Sequence, residues 1–227
     1  MLLDLLSSDA SVKEVLFSFL LSIPIILLTL SVHETAHGYV AYKLGDPTAR
    51  SLGRLTLNPL KHLDPMGTIC MLLVGYGWAN PVPINTRYFK KPRRDMALTG
   101  AAGPVSNLLL AVIFAILLRL TVTFMFPHAF SSEMNLKLFS LLVDFLYYGV
   151  YINVAFAVFN MLPVPPFDGS RVFYAFLPPK YYFGVMKYER YIAIGLLILL
   201  VVGVLNPVFD FFTENIIDGL LWLVQLK

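Results

Sequence analysis

Four stretches of the chain, Val15–Val32, Met96–Leu118, Phe145–Phe167 and Tyr191–Phe209, contain no Asp, Glu, Lys or Arg. A helix needs about 20 mostly apolar residues to cross the hydrocarbon core of a bilayer. Each stretch meets that length, so the expected architecture is an all-α integral membrane bundle of four to five spans. The composition agrees. Of 227 residues, 58% are hydrophobic and only 14% are charged, against roughly a quarter charged in ordinary soluble domains. Too few polar groups remain to cover a globular surface, which excludes a soluble enzyme, a disordered chain and a coiled coil. One membrane-embedded domain is expected over residues 1–227, with a core over about 20–175 and C-terminal helices over 189–227. A net charge of +3 gives no support to a nucleic-acid partner. The single cysteine, Cys70, excludes an intrachain disulfide and a Cys-based zinc cluster. Asp4, Asp9 and Glu14 fit a basic signal-peptide n-region poorly.

A fifth uncharged stretch, Pro65–Thr86, is broken by Gly67, Gly75, Gly77, Pro81 and Pro83. It reads as a segment that enters the membrane and returns. Residues 47–90 are therefore expected to form a partly embedded loop, with short β-strands at Ser51–Asn58 and Val82–Phe89. Bases concentrate between the first and second stretches (Lys43, Arg50, Arg54, Lys61, Arg87, Lys90, Lys91, Arg93, Arg94) and between the third and fourth (Lys180, Lys187, Arg190). The positive-inside rule puts both loops in the cytoplasm and the N-terminus outside. The cluster Lys90–Arg94 also suits membrane-lipid contact. Residues 213–227, with Trp222 and Lys227, suit an interfacial helix better than a short fifth span.

The first apolar stretch runs directly into His33-Glu34-Thr35-Ala36-His37. On a helix, residues at i and i+4 project from one face, so two imidazoles can share one metal ion while the glutamate between them takes a proton from water. Ionisable groups inside a span are costly and functional by default. A catalytic zinc site usually has three protein ligands. The extended pattern H-E-x-x-H-x-x-G-x-x-H fails, because Val40 and Lys43 stand where Gly and His are needed. A glutamate on the next helix fails too, since none occurs between Glu34 and Glu133. Among the remaining groups, Asp46 and Asp64 lie in polar turns suited to capping. Asp95 suits an N-cap, and Asp144 opens the third stretch at the far side. His62 and His128 are also open to metal binding. Asp168 stands out: Pro163, Pro165 and Pro166 unwind the third span just before it, at the depth His37 reaches.

These residues resemble the site-2 protease family, zinc metalloproteases that cut inside the membrane. The resemblance rests on H-E-x-x-H in one span, on Asn160-Met161-Leu162-Pro163-Val164-Pro165-Pro166-Phe167-Asp168-Gly169 near the end of a later one, and on Gly103-Pro104-Val105-Ser106-Asn107 between them. It covers about residues 20–175 and is nearest to the compact prokaryotic branch without a PDZ domain. It implies one Zn2+ held by His33, His37 and Asp168, with Glu34 as general base. It further implies that Asn160 hydrogen-bonds the scissile peptide or its oxyanion. Gly103, Pro104, Asn107 and Gly169 are expected to support the site, and His62 is a candidate gate. The function expected is intramembrane endopeptidase action on a single-span membrane protein in the cell membrane, with the active site opening toward the cytoplasm. Two other readings compete: an intramembrane metal transporter, and a catalytically silent membrane-helix-binding protein on the same scaffold.

Overall fold

The computed structural model describes residues 12–67, 79–178 and 188–226. In order along the chain lie α1 (Val12–Lys43), the short α2 (Thr48–Ser51), α3 (Pro92–Ala129), α4 (Glu133–Asn160), α5 (Asp168–Tyr174), α6 (Glu189–Val201) and α7 (Asn206–Leu223). Helices α1, α3 and α4 have 32, 38 and 28 residues and are apolar enough to cross a membrane. At 1.5 Å per residue even α4 measures about 42 Å, longer than the roughly 30 Å core. These helices therefore run past the apolar stretches that seeded them, and α4 begins at Glu133 rather than Phe145.

Local chemistry sets the helix ends. Pro92 stands in the first turn of α3, where its missing N–H costs nothing. Asp95 is not the N-cap of α3; that position is Lys91. The Asp95 carboxylate reaches back one turn instead, accepting from the Lys91 amide at 2.9 Å and from Arg94 Nε at 2.8 Å. Ser132 caps α4 by accepting from the Asn135 amide at 3.1 Å.

Helices α3 and α4 form the central hairpin. Ala111, Phe114, Ala115 and Leu118 of α3 pack on Leu146, Val150 and Val154 of α4, and Ile217 of α7 closes the cluster. Gly149 allows the approach: a Cβ there would lie 2.5 Å from Cγ of Phe114. Small residues let membrane helices close to this distance, where packing rather than a hydrophobic force holds them.

Two expectations need correction. The stretch Tyr191–Phe209 is not one continuous span. Helix α6 ends at Val201, Gly203 takes φ +78°, and the chain restarts at Asn206-Pro207. A positive φ suits glycine and stops the helix. Helix α7 is not among the described helices apolar enough to cross a membrane, and it packs against the hairpin. It docks on α3 and α4 from Phe209, whose ring centroid is 5.7 Å from that of Phe159, to Gln225, whose carbonyl accepts from Arg119 at 2.9 Å. Lastly, Ser51–Asn58 and Val82–Phe89 contain no strand, and among the described residues the pairing is an isolated bridge between Leu63 and Ala79. Pro81 and Pro83 withhold the amides a ladder needs. Cys70, Gly75 and Gly77 of the expected re-entrant segment, and Lys180 and Lys187 of the second basic loop, lie outside the described residues.

The chain between α1 and α3 is nevertheless tied down. Asp46, fully buried, accepts from the Thr48 amide and hydroxyl and, across the loop, from the Asn85 amide at 2.7 Å. Arg54 donates to the carbonyl of Asn80 at 2.7 Å. The carbonyl of His62 accepts from the Asn80 amide at 2.8 Å.

Candidate metal centre

Helix α1 buries His33, Glu34 and His37, which are 3%, 8% and 5% exposed. Asp168 reaches them because α4 ends at Asn160 and the proline-rich turn folds back to start α5. Gly169 is required in that turn, since a Cβ would fall 2.5 Å from the carbonyl oxygen of Leu162. Asp168 Oδ2 lies 3.0 Å from Nε2 of His33 and 2.9 Å from Nε2 of His37, and the two Nε2 atoms are 3.0 Å apart.

The protons on these rings follow from their outer partners. His33 Nδ1 lies 2.6 Å from Oδ1 of Asn107 and His37 Nδ1 lies 2.7 Å from the carbonyl of Thr99. The Asn107 amide cannot be turned round, because its Nδ2 donates to the carbonyl of Thr29 at 3.2 Å and to Oδ1 of Asn153 at 3.2 Å. Asn153 is fixed in turn by donating to the carbonyl of Gly149 at 2.8 Å. Both Nδ1 atoms therefore face acceptors and carry the hydrogens. Both Nε2 atoms then present lone pairs to each other and to a carboxylate oxygen. Three acceptors within 3.0 Å of one another require a cation between them. A single proton satisfies one pair, whereas a metal ion satisfies all three at once. Two imidazoles and a carboxylate, with the far nitrogen of each imidazole hydrogen-bonded, are also the donor set a catalytic zinc takes. The three residues are accordingly a group that could hold one metal ion.

Close packing completes the pocket. A Cβ at Gly103 would lie 2.6 Å from Nε2 of His33 and closer still to Nε2 of His37, so the α3 backbone sits directly against both rings. Phe156 meets His33 edge-on at 5.1 Å. Glu34 is outside the triad. Its Oε2 accepts from the backbone amide of Val82 at 2.8 Å, and among the described residues its Oε1 makes no hydrogen bond.

The remaining expected residues divide. Gly103, Asn107 and Gly169 support the triad as described, and Pro104 is buried beside Gly103. Asn160 is not drawn to the three: its side-chain amide donates to the carbonyl of Phe156, one turn back in its own helix, at 2.9 Å. His62 is fully buried and bound to the loop. Its Nε2 donates to the carbonyl of Thr56 at 2.7 Å, while Nδ1 has no hydrogen-bond partner among the described residues. His128 sits in the last turn of α3, at the other end from Thr99. Asn153, the Thr99 carbonyl and the Val82 amide were missed. Asn153 could have been found, as a polar residue in an apolar span must find partners. The other two act through the backbone, which has no signature in the sequence.

The model of peptidase family M50 matches residues 21–203, and the chain belongs to that family. Over 176 residues it is 46% identical to YwhC of Bacillus subtilis, named as a candidate zinc metalloprotease, with 78% of each chain covered. Over 195 residues it is 31% identical to Rip2 of Mycolicibacterium smegmatis, similarly named, covering 83% of this chain and 69% of the relative. A further relative so named, from Methanocaldococcus jannaschii, is 27% identical over 169 residues, covering 72% of this chain and 81% of the relative. No solved structure matches the chain.

Proposed function

We propose that this M50 peptidase, a zinc metalloprotease embedded in a membrane, hydrolyses a peptide bond within or near the transmembrane segment of a single-span membrane protein. The observation that carries the reading is the convergence of three acceptor atoms, two from α1 and one from Asp168, on one point, with Glu34 the residue after His33 on the same helix. His33, His37 and Asp168 hold the ion. When bound, zinc supplies a Lewis acid that brings the pKa of water toward about 7 and polarises a carbonyl oxygen. The other work falls to the chain. Glu34 takes the proton from water and passes it to the leaving amine. Asn107 and Thr99 hold both rings in the tautomer that offers Nε2 to the metal. Asn160 hydrogen-bonds the substrate peptide or its oxyanion.

A helical substrate shields its own peptide bonds by hydrogen bonding, so it must unwind locally and present an extended segment. The residues from Val82 to Asn85, just before a 3-10 turn at Thr86–Tyr88, are the surface against which such a segment would lie. The basic excess between α1 and α3 supports a reading in which that loop and the mouth of the site face the cytoplasm at the cell membrane, with the N-terminus outside and Lys90–Arg94 on lipid headgroups.

The experiment compares wild type and Glu34→Gln, purified in detergent or liposomes, for zinc content and for cleavage of a panel of helical single-span reporters. Zinc in both, with cleavage by wild type alone, supports the reading. Zinc in both with cleavage by neither favours a silent binding protein. Transport of zinc across liposomes without cleavage favours a transporter.

A further inference from the structure

The contact between Glu34 and the loop lies outside the metal triad, and its donor, the Val82 amide, is not among the expected site residues. In Pro81-Val82-Pro83 both prolines lack an amide hydrogen, so the Val82 N–H is the sole backbone donor of the three residues, and it is spent on Glu34 Oε2 at 2.8 Å. The approach is repeated one turn further along α1, on the same helix face. A Cβ at Gly38 would come within 3.1 Å of Cγ1 of Val82. The Val82 side chain is buried, so amide and side chain are seated on α1 together.

This segment is anchored on both sides of Val82. Upstream, the Asn80 amide donates to the carbonyl of His62 and the Asn80 carbonyl accepts from Arg54. Downstream, the Asn85 amide donates to the fully buried carboxylate of Asp46. Neither Asp46, Arg54 nor His62 belongs to the triad. His62 is linked to α1 beside Glu34 as well, because the Thr56 carbonyl that accepts from its ring also accepts from the Thr35 hydroxyl at 2.6 Å.

We propose that the Val82 backbone amide is a positioning group for Glu34: it fixes Oε2, leaving Oε1 as the oxygen that takes the proton, with Asp46, Arg54 and His62 clamping the segment that carries it. The proposal rests on Glu34 being the general base. A glutamate side chain has three rotatable bonds, and a misplacement of about 1 Å in a catalytic group costs on the order of 100-fold in rate. A fixed backbone donor removes that freedom without adding a competing charge.

The direct test replaces the Val82 amide by an ester, by incorporating the α-hydroxy analogue of valine at position 82. This deletes the N–H and keeps the side chain. We expect kcat on a single-span reporter to fall about 10- to 100-fold, with KM and zinc content unchanged. The infrared carboxylate band that vanishes in Glu34→Gln should shift. Val82→Pro, compared with Val82→Ala, should show the same loss of kcat, and Asp46→Ala a smaller loss in the same direction. A rise in KM at constant kcat would make the amide a substrate donor and overturn the proposal. So would an ester variant with wild-type kcat and an unmoved band. Glu34→Gln is run alongside: if it is inactive while the ester variant is normal, the positioning role alone fails, and if it cleaves at the wild-type rate, the base itself is wrong.

Discussion

The two halves of the α3–α4 hairpin are built from the same pair of helices and hold together by different means. Toward Ala129, contact is made by Phe114, Ala115, Leu118, Leu146 and Val150, with Ile217 from α7. These side chains are apolar, and what matters between them is shape, as with the ring of Phe114 seated on Gly149. Toward Pro92 the buried residues include Thr99, Gly103, Asn107 and Asn153. Here each donor has a named acceptor, and the chain of amides runs from the Gly149 carbonyl through Asn153 and Asn107 to His33. An apolar half tolerates adjustment, because dispersion contacts are many and small. A polar relay does not, because one unmade bond leaves a buried group without a partner.

The largest contrast is expected at the triad. His33→Ala and Asp168→Ala each remove one of three ligands, and zinc binding should fall by well over 100-fold, beyond the 10- to 100-fold that loss of an outer partner costs. Competition with a chelating dye measures it. Next in size is the relay. Asn107→Leu leaves His33 Nδ1 without its acceptor, and zinc affinity should fall about 10- to 100-fold while the helices stay assembled. Asn153→Leu leaves Asn107 its bond to Thr29 and should cost no more than about tenfold by the same titration. Smallest at the metal is Phe114→Ala. It should lower the unfolding midpoint in detergent, by less than the roughly 3–5 kcal/mol such a truncation costs in a soluble core, because lipid or detergent refills part of the contact. Zinc affinity should not move beyond about twofold, since the residue lies outside the relay. A loss of zinc affinity in Phe114→Ala equal to that in Asn107→Leu would erase the distinction between the halves.

The same contrast governs what could be read from the sequence. Three spans were legible because an uncharged run of about 20 residues has few alternatives, and the metal pair because i, i+4 spacing fixes a common face. Asp168 was legible because three prolines within four residues, Pro163, Pro165 and Pro166, unwind a helix end just before it. The division of Tyr191–Phe209 was not, because hydropathy carries no information on where one glycine with positive φ stops a helix. The strands expected at Ser51–Asn58 and Val82–Phe89 failed for a related reason. Their side chains suit a sheet, but Pro81 and Pro83 remove donors, and Asp46, Arg54 and Glu34 take up the polar backbone groups a partner strand would have used. Asp46 was legible as a turn residue, and it does bind the Thr48 amide. Its second bond, to Asn85, joins residues 39 positions apart, and no local pattern announces it.

The central claim is that His33, His37 and Asp168 offer three lone pairs to one zinc ion because Asn107 and Thr99 hold the imidazole hydrogens elsewhere. X-ray absorption at the zinc edge of the purified protein tests this most directly. One zinc per chain is expected, with two imidazole nitrogens and carboxylate oxygen at about 2.0–2.2 Å. The imidazole signal should be halved in His33→Ala and intact in Glu34→Gln. A wild-type zinc shell without two imidazoles, or one unchanged by His33→Ala, would contradict the claim.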